Sequence, residues 1–118
     1  MIMAFAYARV LEITTLPAAA ASVYANPAAT TTYIRGIILH NGNTATEAVK
    51  LYNVPDNAGA VGTAAVTNEM YSESMAAGAT TILEFSAPGI MLTDENDSIQ
   101  GVTTNADKVT IQLLGATE

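Results

Sequence analysis

His40 is the first residue to question for chemistry, because the chain has one histidine and any serine triad would have to pass through it. It lies in Leu39-His40-Asn41-Gly42, at the end of a strand-like run. No Gly-x-Ser-x-Gly elbow, the strained turn that presents a nucleophilic serine, occurs anywhere in the sequence. His40 therefore reads as a polar residue closing a turn. The sequence has no cysteine, which removes thiolate nucleophiles, thiolate zinc sites and iron–sulfur clusters together.

Oxygen ligands are densest at Asp94-Glu95-Asn96-Asp97. A calcium ion wants roughly six to eight oxygens, and turn carboxylates with nearby carbonyls can supply them, so Asp94 and Asp97 are the candidate metal ligands. The central glycine and terminal bidentate glutamate of a helix-flanked calcium loop are missing, and an acidic turn explains the run as well. Glu47, Glu69, Glu73 and Glu84 could in principle supply the paired carboxylates of glycoside hydrolysis. Each reads as solvent-facing on an alternating strand. Five Tyr and no Trp make a poor sugar platform. Phosphate-cradling glycine loops and dinucleotide fingerprints are missing too. The expectation is a non-enzyme with no catalytic residue and no cofactor.

Composition narrows the partners. Eleven Asp plus Glu against four Lys plus Arg give a net charge of −7, which argues against nucleic acid, where each phosphate contact needs a cation. Charged residues make up 13% of the chain, and a surface written in Ala, Thr, Ser, Asn and Gly suits a protein packed against neighbours. No apolar run approaches the about 20 residues of a membrane span. Met1–Ala8 is apolar but lacks a basic start, and Arg9 and Glu12 interrupt it, so it reads as part of the protein rather than a signal peptide.

The elements that must position these residues are strands. Thr31–Pro55 holds two runs rich in β-branched residues around His40-Asn41-Gly42-Asn43-Thr44, and Asn41-Gly42 offers the positive-φ residues of a tight turn. The segment is expected to be a long β-hairpin, with strands near Thr32–His40 and Thr46–Val54. Ile34 and Ile38 share one parity while Ile37 and Leu39 share the other, so the strand is expected to be either central or bulged, and Gly36 is where a bulge would sit. Further strands are expected over Ala4–Thr15, Ser22–Ala25, Asn68–Met75, Thr80–Phe85, Ile90–Leu92, Ser98–Thr103 and Lys108–Leu114, the last with Val109, Ile111 and Leu113 facing inward. Gly115 and a short tail would end the chain. Eight or nine short strands at spacings near 8–12 residues indicate one all-β domain, an antiparallel β-sandwich of jelly-roll type. Residues 1–26 would form an N-terminal arm and strand, and residues 27–118 the sandwich core.

Thr31 to Gly115 resembles a group of small β-sandwich virion structural proteins of tailed bacteriophages. The resemblance is carried by the strand Tyr33–Asn41, the strand Val49–Pro55 closing on Val-Pro, and the turn Ala77-Gly78-Ala79-Thr80. It continues through Leu92–Gln100 with its Ile-Gln ending and the last strand Val109–Gly115. In place of the Ala-Gly-Asp turn common in such proteins, this chain has Asp94-Glu95-Asn96-Asp97. The resemblance implies a capsid decoration or cement protein, made in the host cytoplasm and located in the virion. Such a protein is a homo-oligomer, commonly a trimer, bound to the major capsid protein or another virion protein. Aromatic and large apolar side chains dominate interface energetics, so Phe5, Tyr7, Leu11, Tyr24 and Tyr33 are the interface candidates. The alternatives are a tail, neck or fibre component, or a small module binding a ligand or carbohydrate.

Overall fold

The computed structural model describes residues 8–118. It is built of nine strands: β1 (Ala8–Thr15), β2 (Ala21–Ala25), β3 (Thr32–Asn41), β4 (Glu47–Val54), β5 (Glu69–Met75), β6 (Thr80–Glu84), β7 (Ile90–Leu92), β8 (Ser98–Thr103) and β9 (Val109–Thr117). A 3-10 turn at Val66–Asn68 leads into β5. One sheet has the order β1-β9-β3-β6, with β7 continuing along the β6 side of β3; the other has the order β2-β8-β4-β5. All pairings between strands are antiparallel.

These pairings are nested. β1 pairs β9, β2 pairs β8, β3 pairs β6 and β7, and β4 pairs β5. The chain is one long antiparallel hairpin rolled over on itself, the wrapping that defines a jelly roll. β6 lies along Gly36–His40 and β7 along Thr32–Ile34, so they act as two halves of one interrupted edge strand.

The expected Thr31–Pro55 hairpin does not form. β3 belongs to one sheet and β4 to the other, and residues 42–46 carry the chain between them. Gly42 is not among the positive-φ residues, so no tight turn closes there. Asn41 is instead buried at the end of β3. Its Nδ2 donates to the carbonyls of Ala45 (3.0 Å), Met75 (3.0 Å) and Ala76 (3.2 Å), and its Oδ1 accepts from the Asn43 N–H at 2.9 Å. The apolar runs had been read correctly as strands. What a local pattern cannot contain is whether two consecutive strands pair or face one another across a core.

The bulge does occur beside Gly36. Ile34 opposes Gly115 and Gly36 opposes Leu114, so Arg35 is the extra residue. One extra residue reverses the side-chain parity, and Ile34, Ile37 and Leu39 all become fully buried while Ile38 turns outward. Arg35 exchanges backbone contacts with the break in the opposite edge: Phe85 N–H donates to its carbonyl at 2.9 Å, and its Nε donates to Phe85 O at 3.0 Å.

The last strand runs past Gly115 to Thr117. Gly115 ends nothing: a Cβ there would overlap the carbonyl oxygen of Tyr33, so glycine is what lets β9 lie this close to β3. Between the sheets, Leu16, Ile34, Ile37, Leu39, Val49, Leu51, Met75, Leu92, Ile99, Val109, Ile111 and Leu113 form the core. Leu16 plugs one end, its N–H bonded to Val109 O at 2.8 Å. Sheet edges are blunted against stray pairing. β1 carries two register shifts and β2 one, and the β6–β7 edge is broken at Phe85–Gly89.

Candidate functional site

Two of the carboxylates that could have carried chemistry, Glu47 and Asp97, hold loops together. Glu47, read from sequence as solvent-facing, is fully buried. It shares parity with Val49 and Leu51, which face the core, so β4 points it inward. Its Oε1 accepts from Thr103 Oγ1 (2.9 Å) and the Asn105 N–H (2.9 Å), and its Oε2 from Asn105 Nδ2 (2.7 Å) and Asn43 Nδ2 (3.2 Å). The Asn105 amide, with further bonds from its N–H, Thr103 and Asn43, outweighs burial and brings the Glu47 carboxyl down to about 2. The carboxylate stays ionised with no cation among these partners. It ties the β3–β4 connection to the β8–β9 turn.

The other glutamates are not paired with it. Glu69 and Glu73 lie on β5, in the same sheet as β4, opposite Tyr52 and Val49, while Glu84 is on β6 in the other sheet, opposite Gly36.

In the acidic turn, Asp94 and Asp97 are joined by Asp56, with one oxygen of each within 4.8 Å of the others. Asp97 Oδ1 accepts from the Asp56 N–H at 2.9 Å, and Oδ2 from the N–H groups of Thr93 (3.1 Å) and Asp94 (2.9 Å). Burial works to raise the Asp97 pKa, but the N–H groups of Asp94, Asp56 and Thr93 together hold it below its ordinary value. The carboxylate is a clamp that fixes two loops. Nearby, Asn26 is buried and plays the same part: Nδ2 donates to Thr30 O and Asp94 O, and Oδ1 accepts from Thr32 Oγ1.

His40 is exposed at the end of β3, its Nδ1 2.8 Å from Thr80 Oγ1. Its ring partner is a threonine hydroxyl, not a serine–carboxylate pair.

Of the interface candidates, Phe5 and Tyr7 lie outside the described residues. Leu11 and Tyr24 are partly buried and pack against the core, and Tyr24 Oη is 3.0 Å from Thr32 Oγ1. Tyr33 is half-buried on β3; burial first, then the hydrogen bond and charge of Glu118, raise its hydroxyl pKa.

A different surface stands out, and the sequence reading missed it. On the outer face of the β1-β9-β3-β6 sheet, Ile82 is 60% exposed and stands directly opposite Ile38, with Leu114 beside Gly36. Arg35, Gly36, Ile38, Ile82, Glu84 and Leu114 surround a shallow hollow of about 340 Å³. The signal was present: in Thr80–Glu84 the residues of one parity are Thr, Ile and Glu, while Leu83 packs on the core. The outer face of the other sheet is treated differently, since the loop after β4 lies over it. Gln100 Nε2 donates to Gly62 O at 2.8 Å and Asn96 Nδ2 to Gly59 O at 2.8 Å.

No protein-family model matches the chain, and comparison with curated proteins finds no match.

Proposed function

We propose that the chain is a virion structural protein, an oligomeric capsid decoration or cement protein that acts through protein–protein contacts and not by catalysis. The observation that carries this reading is the pairing of a jelly roll with an apolar patch on one sheet face, where Ile82 is exposed beside the half-buried Ile38 and Leu114. The polar residues with chemical potential, Glu47, Asp97, Asn26 and Asn41, fasten loops to one another. A body whose buried carboxylates serve its own architecture, and which carries an apolar patch on one sheet face, is suited to docking. The jelly roll recurs in shell proteins, a fold-level analogy that raises this reading without carrying it. A net charge of −7 favours protein partners over nucleic acid.

The test is add-back. Heads assembled without this chain are mixed with the purified protein and sedimented. The proposal expects saturable binding at a fixed ratio to the major capsid protein and heads that resist heat or chelation better than bare ones. No co-sedimentation with heads, or binding only to tails, would overturn the capsid placement.

A further inference from the structure

Asn41-Gly42 has the composition of a turn, yet no tight turn closes there, and the pair carries a reactivity of its own. It is the only Asn-Gly pair in the sequence. Glycine has no Cβ to shield its amide nitrogen, so in an unfolded chain that nitrogen can reach the side-chain carbonyl carbon of the preceding asparagine. Its N–H proton passes to solvent base as the bond from nitrogen to Asn41 Cγ forms. The Cγ–Nδ2 bond breaks, and Nδ2 leaves as ammonia with a proton taken from water. Water then opens the cyclic imide at either carbonyl, giving aspartate or isoaspartate. The reaction needs no co-reactant besides water.

The native fold holds both reacting groups away from this path. Ring closure requires the Asn41–Gly42 peptide plane to rotate, and that plane is pinned at both of its polar groups. The Asn41 carbonyl accepts from the Gly78 N–H at 2.9 Å, and the Gly42 N–H donates to Lys108 O at 2.8 Å. Ring closure also requires the side chain to swing, and the amide is held by the carbonyls of Ala45, Met75 and Ala76 and by the Asn43 N–H. Gly42 itself is exposed, so water reaches the site. Fixed geometry, and not the exclusion of solvent, is what protects it.

We propose that Asn41-Gly42 is a deamidation site that the native fold keeps closed and unfolding opens, so that a chain left unfolded long enough can no longer refold. The product does not fit the place it would have to occupy. An aspartate at this fully buried position sets acceptor oxygens against the carbonyls of Ala45, Met75 and Ala76, with no cation among these partners. Isoaspartate adds a methylene to the backbone where Asn41 pairs with Val109. Chemical change of the unfolded state is one of the general routes by which unfolding becomes irreversible. This inference stands on the end of β3 alone and does not depend on the virion reading.

The full chain is held at mildly alkaline pH in native buffer and, in parallel, in urea, and every asparagine is followed by peptide mass spectrometry. In urea, position 41 is expected to convert ahead of the others. In native buffer it should convert at least about 100-fold more slowly, because reaction proceeds only through the small opened population. Dilution out of urea at each time should show the refolding yield falling in step with conversion. Gly42→Ala, whose added Cβ meets only an ordinary contact in the fold, should convert several-fold more slowly in urea and keep its refolding yield. Asn41→Asp, which mimics the product, should melt below Asn41→Ala or fail to fold, since it adds repulsion to the lost bonds. Equal rates in native buffer and urea, converted chains that refold in full, an equal decline in Gly42→Ala, or an Asn41→Asp as stable as wild type would overturn the proposal.

Discussion

Replacing Asn41 and Gly42 one at a time separates a rolled sandwich from a local hairpin. In a hairpin turn, Gly42 would need its positive φ and Asn41 would be a replaceable surface residue. Here the Asn41 side chain bonds three carbonyls and one N–H, and the bond to Met75 O is fully buried. In Asn41→Ala the buried carbonyl loses its partner at about 1–3 kcal/mol, and the three part-buried groups, which can regain water, cost about 0.5 kcal/mol each. The sum is about 2.5–4.5 kcal/mol, a large share of the 5–15 kcal/mol total typical of a domain. With an unfolding entropy of about 2.1 cal/mol/K per residue, 118 residues lose about 4 °C per kcal/mol, so the melting temperature falls by roughly 10–18 °C. Gly42 lies outside the left-handed region, and an added Cβ would meet Lys108 O at 3.5 Å, an ordinary contact. Gly42→Ala should therefore stay within about 1 kcal/mol of wild type, since alanine also restricts the unfolded chain. Urea titration of both variants at neutral pH measures the difference. If Gly42→Ala costs more than Asn41→Ala, the assignment of β3 and β4 to different sheets is wrong.

Other expectations follow from the same network. Glu47 has a folded pKa of about 2 against an ordinary 4.5, so its contribution is fully present above about pH 4.5 and is lost as pH falls toward 2. Stability measured from pH 6 down to about 2 should fall, and Glu47→Gln should be less stable at neutral pH with a flatter acid profile. An equally steep profile in that variant would exclude Glu47 as a source, leaving Asp97, whose lowered pKa acts in the same direction. Gly115→Ala should cost about 2–3 kcal/mol or more, because its Cβ forces β9 away from the Tyr33 carbonyl; a neutral result would mean that the two strands are further apart. Added calcium should move the melting temperature by less than about 1 °C, since Asp97 spends both oxygens on N–H donors. A rise of several degrees at millimolar calcium would show that Asp56, Asp94 and Asp97 do hold the ion.

Much of the fold could be read in the sequence because strands declare themselves by period. Val109, Ile111 and Leu113 are all buried at alternate positions, and the parity conflict between Ile34 and Ile37 marked β3 as central or bulged; it is both, lying between β9 and β6 with a register shift beside Gly36. Pairing was less legible. Asn41-Gly42 has the composition of a turn, but the tertiary fold gives Asn41 buried partners near residues 75 and 76, a contact no local window contains. Glu47 was misjudged because its charge was weighed above its parity with Val49 and Leu51. Four bonds make that burial tolerable. The exposed Ile82 went unmarked for the opposite reason, since an isoleucine in a strand is ordinarily assigned to the core.

The central claim, a structural role in a virus particle, is tested most directly by counting. Particles produced from the genome that encodes the chain can be purified and their proteins quantified by mass spectrometry against the major capsid protein. This chain is expected in every particle, at a fixed ratio set by the symmetry of the shell. Intact infectious particles lacking the chain, with the protein found instead in the soluble fraction of the lysate, would contradict it.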